Sequence, residues 1–209
     1  SYAPQNPAPY DDTGWTFQLM RDLRIVPIAD TTVLERPMTL VSADVTAPGG
    51  VSGSGPVLIV EHTSDTSLVT FRFRHAGVRM LAARADFELD GRRFRAGALI
   101  VPDADRGALE PTLRDLGLSA WAVDDPPTVE THELDVPRIG YVHSWTRTQD
   151  EGWWRAAFDT YGVPYTYLGD QKLREGHLRE RFDVIVFPHV GGDAVSQVNG
   201  MARGDGAPL

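Results

Sequence analysis

The sequence predicts an α/β fold, a three-layer sandwich in which helices cover both faces of a mainly parallel sheet. Apolar runs of about four residues recur along the chain, and segments of helical periodicity separate them. Residues 138–190 show this pattern most clearly, since they read as strand, helix, strand, helix, strand. Both connections there are long enough to join parallel strands. One β-hairpin, at residues 87–94, is predicted in addition.

The composition is that of a globular protein with an acidic surface. The chain has 209 residues, 42% of them hydrophobic, and a net charge of -9. An acidic chain repels a phosphate backbone, so we expect no nucleic-acid partner. No run approaches the roughly 18 apolar residues of a membrane helix, so we expect no membrane span. The chain has no cysteine, which excludes disulfides, thiolate metal ligands and cysteine nucleophiles.

The chain is expected to contain a linker, an α/β domain and a tail. Prolines make residues 1–12 an extended linker, the α/β domain takes residues 13–190, and the glycine-rich residues 191–209 form a flexible tail. The domain has two halves, 13–123 and 138–190, which are parts of one sheet or two small domains. We expect the chain to be a piece of a longer protein, because it does not begin with Met and its tail resembles a loop cut before its next helix.

The first half alternates between the two element types. A helix near 13–22 follows capping side chains, and Pro27 places a short strand, 24–28, at a sheet edge. Residues 69–74 alternate as a strand would, but their place between two apparent strands favours a helix. The remaining predicted elements are strands at 57–61, 78–82, 98–101 and 119–123, the hairpin with its Asp-Gly turn, and a helix capped by Asp105.

The second half centres on one amphipathic helix. Thr148 and Glu151 have the spacing of a capping box, with a carboxylate at the positive end of the helix dipole. Trp153 and Trp154 follow at helical spacing and are predicted to pack. A charged helix at 170–180 and a buried strand at 184–187 complete the pattern.

Two motifs have the spacing of a ligand site in an unsuitable context. The glycines of 49–55 precede a strand, whereas a phosphate loop needs them after a strand and before a helix. His177 and Glu180 have the His-x-x-Glu spacing of a zinc site, but the arginines around them describe a solvated helix face. We therefore predict neither phosphate nor metal binding at these positions.

Ligands of parallel α/β sheets bind at the carboxyl ends of the strands, and that rule selects the candidate site residues. His62, Asp103 and Trp145 are candidates for ligand binding there. Ser144 and His189, with Asp150 nearby, are candidates for a hydrolytic triad. The residues around Ser144 do not form Gly-x-Ser-x-Gly, and the simpler interpretation is that Ser144 satisfies backbone groups at a turn.

Several stretches resemble the C-terminal region of large bacterial zinc carboxypeptidases, of the carboxypeptidase A-like metallopeptidase family. The resemblance spans nearly all of residues 8–190. It rests on these stretches: Ala8–Thr16, Phe87–Gly97, Ser144-Trp145-x4-Asp150-Glu151-Gly152-Trp153, Tyr161–Tyr165 and Leu178–Val186. In such proteins this region follows the peptidase domain and is similar to a class I glutamine amidotransferase-like module with a flavodoxin-like sheet.

The resemblance implies a domain without catalysis of its own. The family's zinc is held by His-x-x-Glu and a distant His, with a Glu general base, and none of these maps onto this chain; zinc belongs to the parent peptidase domain. An amidotransferase-like fold normally carries a Cys nucleophile, which this sequence lacks. The implied partners are the upstream peptidase domain and a peptide or cell-wall substrate, and the implied location of the parent is secreted or periplasmic.

Three functions follow as hypotheses. The first is a non-catalytic accessory domain of a zinc carboxypeptidase, with no cofactor in this chain. The second is an independent hydrolase that uses Ser144 and His189. The third is a flavodoxin-like module that binds a small ligand.

Overall fold

The computed structural model describes residues 24–63, 65–143 and 148–188. They form two compact units: the first takes the described residues up to Leu68 and Ala82–His132, and the second takes Val69–Leu81 and the described residues from Glu133. The predicted linker at 1–12, the helix near 13–22 and the tail at 191–209 lie outside the described residues.

The described elements alternate much as the sequence predicts. The strands are β1 Gly50–Gly53, β2 Val57–Val60, β3 Leu81–Ala83, β4 Phe87–Leu89, β5 Arg92–Phe94, β6 Leu99–Val101, β7 Ser119–Val123, β8 Thr131–Glu133, β9 Ile139–Val142, β10 Thr166–Leu168 and β11 Val184–Val186. The helices are a 3₁₀ helix at Thr31–Glu35, then α1 Ser67–Arg74, α2 Arg106–Asp115, α3 Thr148–Tyr161, α4 Asp170–Arg174 and α5 Leu178–Arg181. The choice of helix over strand at 69–74 is confirmed.

The six-stranded sheet is mixed, so the prediction of one mainly parallel sheet is wrong there. Its order is β1-β7-β2-β6-β3-β8. β1 is parallel to β7, but β2 runs antiparallel to both β7 and β6. β6, α2 and β7 do form a strand-helix-strand unit with parallel strands, yet β2 lies between them. An apolar run shows that a strand is buried but carries no information on its direction.

The core of the six-stranded sheet surrounds β2, whose four residues are all buried. Ile59 packs in one cluster with Phe94 of the hairpin and with Ala98. Phe94 also stacks on Phe87 across the hairpin, at 5.0 Å between ring centroids. The hairpin is therefore attached to the sheet by one apolar face, while its alternate residues point to the other side.

The second unit contains a three-stranded parallel sheet of order β10-β9-β11. β9 is central, and it pairs in parallel with β10 and with β11. The chain thus forms β9, crosses through α3 to β10, and returns through α4 and α5 to the other side of β9. Tyr141 and Val142 of β9 and Leu168 of β10 are buried in this unit.

Two apolar segments are more exposed than predicted. Residues 24–28 form no strand; Ile25 is 58% exposed and Ile28 68%, because this segment has no partner strand in the described part of the chain. β11 was predicted to be a buried strand, yet Val184 is 44% exposed and Ile185 42%. β11 lies at the edge of a three-stranded sheet, so it has a neighbouring strand on one side.

The helices also depart from prediction in detail. Trp153 and Trp154 of α3 were predicted to pack, but they are 69% and 49% exposed. The single charged helix predicted at 170–180 is two short helices, because Gly176 and His177 adopt positive φ angles of 73° and 52° between them. No helix in the described ranges is long and apolar enough to cross a bilayer.

Candidate functional site

The carboxyl end of β9 carries a group of ionisable side chains that contact one another. His143 follows β9 directly, Glu151 lies in the first turn of α3, and Tyr167 is the middle residue of β10. With Arg155, one turn beyond Glu151, they form what we call the Glu151 cluster. Tyr167 is in register with Tyr141, so His143, two residues beyond Tyr141, lies on the same face as Tyr167, with 5.5 Å between the two ring centroids.

Glu151 is the centre of the cluster, with 3% of its surface exposed. His143 Nδ1 lies 3.0 Å from Glu151 Oε2 and 2.5 Å from the Tyr167 hydroxyl oxygen. The Tyr167 hydroxyl donates to Glu151 Oε1 in a very short hydrogen bond. An ionised carboxylate only accepts hydrogen bonds, so it holds the imidazole proton on Nδ1 and leaves Nε2 as the basic nitrogen.

Glu151 changes the proton affinity of the phenols around it. Burial, the hydrogen bond to Glu151 and its negative charge together raise the pKa of Tyr167 to about 12. Burial, and next the charge of Glu151, also raise the pKa of Tyr141. Both phenols are therefore neutral hydrogen-bond donors over the physiological range of pH.

Arg155 places a positive charge beside the Glu151 cluster. Its guanidinium lies 4.4 Å from the centre of the Tyr167 ring, and Nη1 lies 3.8 Å from Glu151 Oε1. Nε donates to the Tyr165 hydroxyl at 3.2 Å, which raises the pKa of Arg155. This cation offsets part of the cost of burying the carboxylate.

A histidine held by a carboxylate can serve as a general base, and it is also the orienting half of a hydrolytic triad. The described residues thus supply a base, His143, and its orienting group, Glu151. His189 and Asp150 were the residues predicted from the sequence for these roles. Ser144, the predicted nucleophile, follows His143 in the chain but lies outside the described residues, as do Trp145 and His189.

The chain matches no protein-family model. It also matches no curated protein and no solved structure.

His62 and Asp103 do not share a site, which corrects the prediction that placed both at one edge of the sheet. The expectation assumed that β2 and β6 are parallel. They are antiparallel, with Val60 opposite Leu99 and Leu58 opposite Val101. His62 therefore lies near Ala96, to whose carbonyl oxygen its Nδ1 donates at 2.6 Å, while Asp103 lies at the opposite end of the strands.

A cleft of about 700 Å³ opens beside His62 in the first unit. We call it the His62 cleft. It is lined by Glu61, His62, Thr63, Asp86, Arg93, Arg95 and Ala96. His62 was predicted from the sequence as a candidate for ligand binding, whereas Arg93 and Arg95, which line the same cleft, were not.

The glycine-rich segment has a packing role in the structure. A Cβ on Gly49 would lie 2.1 Å from the carbonyl oxygen of Leu113, so the chain passes the end of α2 too closely for any side chain. Arg106 donates to the carbonyl oxygens of Val51 and Gly53, both at 3.1 Å, and thereby caps the edge of β1. These bonds occupy backbone acceptors that an added strand would use.

His177 and Glu180 form an exposed pair on the surface. His177 Nδ1 lies 3.1 Å from Glu180 Oε1, and the two side chains are 74% and 76% exposed. Within the described ranges, no group of three or more His, Asp or Glu side chains is arranged to hold a metal ion.

Glu151 is the functional candidate that sequence reasoning interpreted differently, since it was assigned to the capping box. A signal was present in the sequence. Glu151 and Phe158, seven positions apart, lie on one helical face, so the carboxylate shares its face with an aromatic residue.

Proposed function

We propose that this chain is a non-catalytic accessory domain of a zinc carboxypeptidase of the carboxypeptidase A-like family. One observation carries the proposal. The order β10-β9-β11 is the order with which a flavodoxin-like sheet begins, and it occurs in the stretch where the resemblance to the family is most specific. The lack of cysteine agrees with it, because an amidotransferase-like fold without a thiol lacks its usual nucleophile.

In this proposal the zinc and its ligands belong to a peptidase domain of the same polypeptide. The present chain packs beside that domain and shapes access to its cleft, or binds the peptide or cell-wall substrate. The Glu151 cluster is suited to fixing the carboxyl end of β9, since the buried carboxylate, the imidazole and the phenol are linked by hydrogen bonds.

The full reading frame that contains this chain tests the proposal. We expect it to encode, before these residues, a domain with a His-x-x-Glu pair, a more distant His and a Glu general base. A frame without such a domain would contradict the proposal, whatever ligand the present chain binds.

The His143–Glu151 pair favours a second candidate, a hydrolase with a serine nucleophile, because a base and its orienting carboxylate lie 3.0 Å apart. A fluorophosphonate probe that reacts with activated serines separates the two. The accessory domain should remain unlabelled at pH 7. Labelling that disappears in both Ser144→Ala and His143→Ala, but persists in His177→Ala, would establish the hydrolase instead.

A further inference from the structure

The His62 cleft has two guanidinium groups on one of its walls. Arg93 in β5 and Arg95 just after it are two residues apart, so an extended chain points both side chains to the same side. Phe94 between them is buried in the core. The hairpin thus presents its cations to the cleft because its other face is fixed by packing.

Asp86 fixes the geometry of this wall. Its Oδ1 accepts from the backbone N–H of Ala96 at 2.9 Å, and its Oδ2 accepts from Arg93 Nη2 at 2.7 Å. These bonds lower the pKa of Asp86, first through the backbone N–H and next through Arg93. A guanidinium has five N–H donors, so the bond from Nη2 leaves Arg93 with capacity for a second acceptor.

His62 and Glu61 add hydrogen-bond acceptors to the lining of the cleft. A carbonyl oxygen only accepts, so the contact of His62 Nδ1 with the Ala96 oxygen places the imidazole proton on Nδ1 and makes Nε2 an acceptor. The imidazole packs closely on the Gly97 backbone, since a Cβ built at Gly97 would lie 2.5 Å from Nδ1. Glu61 adds a carboxylate to the same lining.

The charges of the lining select a class of ligand. Arg93 and Arg95 are balanced by Glu61 and Asp86. A polyanion would meet two carboxylates as well as two guanidiniums, so a ligand with one negative charge and an N–H donor fits better. Guanidinium groups match the planar geometry of a carboxylate, and the size of the cleft suits a small molecule.

We propose that the His62 cleft binds an α-amino acid or the C-terminal residue of a short peptide. The guanidiniums of Arg93 and Arg95 take the α-carboxylate, and His62 Nε2 with Glu61 accepts from the α-nitrogen. This inference concerns the first unit and is independent of the accessory role proposed above.

Calorimetric titration of the whole chain at pH 7 tests this site with four probes: N-acetylalanine, free alanine, N-acetylalaninamide and inorganic phosphate. We expect N-acetylalanine and free alanine, the two probes with a carboxylate, to bind. The amide should bind at least about tenfold more weakly than N-acetylalanine, since it lacks the charge that the guanidiniums recognise. Tighter binding of alanine than of N-acetylalanine would assign the free amino acid, and the reverse would assign the peptide terminus.

Substitution of single arginines tests whether the probes bind in the His62 cleft. Arg95→Gln should weaken the binding of N-acetylalanine at least about tenfold, because a hydrogen bond from a charged donor is lost. The control Arg84→Gln removes an exposed arginine of the same unit that pairs with Glu130 outside the cleft, and it should have no such effect. Melting temperatures of both variants report whether the fold is retained.

Three results would overturn the inference. They are equal affinity for the acid and the amide, tighter binding of phosphate than of either carboxylate, and equal effects of Arg95→Gln and Arg84→Gln. Undetectable binding of every probe at about 10 mM would do so too, because the affinity would then be too low for a built site.

Discussion

Two features of the structure favour glycine at position 97: a positive φ angle and the close approach of the His62 ring. Its φ of +88° is costly for any residue with a Cβ, by roughly 1–2 kcal/mol. A Cβ would also lie 2.5 Å from the ring of His62. The lack of a side chain at Gly97 therefore permits both the turn after β5 and the close approach of the His62 imidazole.

Gly97→Ala should lower the free energy of unfolding by more than the roughly 1–2 kcal/mol of the backbone term alone, because the ring of His62 must also move. Gly91→Ala is the matched control. Gly91 has a φ of +71°, but a Cβ there meets nothing within 4 Å. Urea unfolding of both variants measures the difference, and equal losses would show that the contact with His62 carries no energetic weight.

Tyr167 reports on Glu151. We expect NMR titration of ring-labelled tyrosine to give a pKa of about 12 for Tyr167, with Tyr167→Phe used to assign the signal. In Glu151→Gln the pKa should fall, because the negative charge and the carboxylate hydrogen bond are lost, but it should stay above its ordinary value, because burial, the largest cause of the shift, remains. An unchanged pKa in that variant would mean that burial alone sets it.

The raised pKa of Tyr167 makes the free energy of unfolding depend on pH in the alkaline range. The folded pKa lies above the unfolded value, so the stabilisation by Tyr167 is complete below about pH 10 and is lost as the pH rises toward 12. The stability of Tyr167→Phe should therefore fall less steeply than that of the parent chain between these pH values. Thermal unfolding across the interval measures it.

For single residues, conformations that depend on neighbours in the sequence could be predicted, whereas contacts with residues far along the chain could not. The Asp-Gly turn at 90–91 was predicted because both residues adopt positive φ for reasons contained in the dipeptide. Glu151 satisfied a local capping pattern, but its partner Tyr167 is 16 positions away. The sequence of α3 alone does not indicate that β10 places the hydroxyl of Tyr167 next to Glu151.

At the scale of elements, a bidentate ion pair joins the start of β9 to the start of β11. Arg138 Nε and Nη2 donate to the two oxygens of Asp183 at 3.0 and 2.9 Å. The backbone N–H of Arg138 donates to the same carboxylate at 2.8 Å, and Arg138 Nη1 donates to the carbonyl oxygen of Glu180 at 2.7 Å. These bonds fix the register of β11, whose side chains contribute little burial.

Asp183→Asn should make the chain less sensitive to acid and less stable near neutral pH. The hydrogen bonds from Arg138 lower the pKa of Asp183 to about 2. Its stabilisation is thus complete above the unfolded value of 3.8 and is lost as the pH falls toward 2. Acid unfolding followed by circular dichroism measures the effect, with Asp170→Asn as a control for a carboxylate in a longer, 3.8 Å contact.

Element types and positions could be predicted from periodicity, but pairing direction could not. β2, β6 and β7 occur where the apolar runs place them. The alternation of strand and helix suggested parallel neighbours, yet β2 lies antiparallel between β6 and β7. That error moved Asp103 to the wrong end of the sheet, whereas the parallel order around β9 followed from crossovers of suitable length.

At the scale of the whole molecule, the two units divide the candidate chemistry between them. The His62 cleft belongs to the first unit, and the Glu151 cluster belongs to the second. The chain carries a net charge of -9 and no cysteine. The role that we propose for it, as a partner of a zinc enzyme, rests on the resemblance of its sequence and on the strand order of the second unit.

Zinc content and peptidase activity, measured together on the purified 209-residue chain, test the central claim most directly. The chain is incubated with equimolar zinc, dialysed, and assayed for metal and for release of C-terminal residues from a peptide. We expect far less than one zinc per chain and no release, while the product of the full reading frame retains zinc and cleaves the peptide. One tightly bound zinc per 209-residue chain together with turnover would contradict the account.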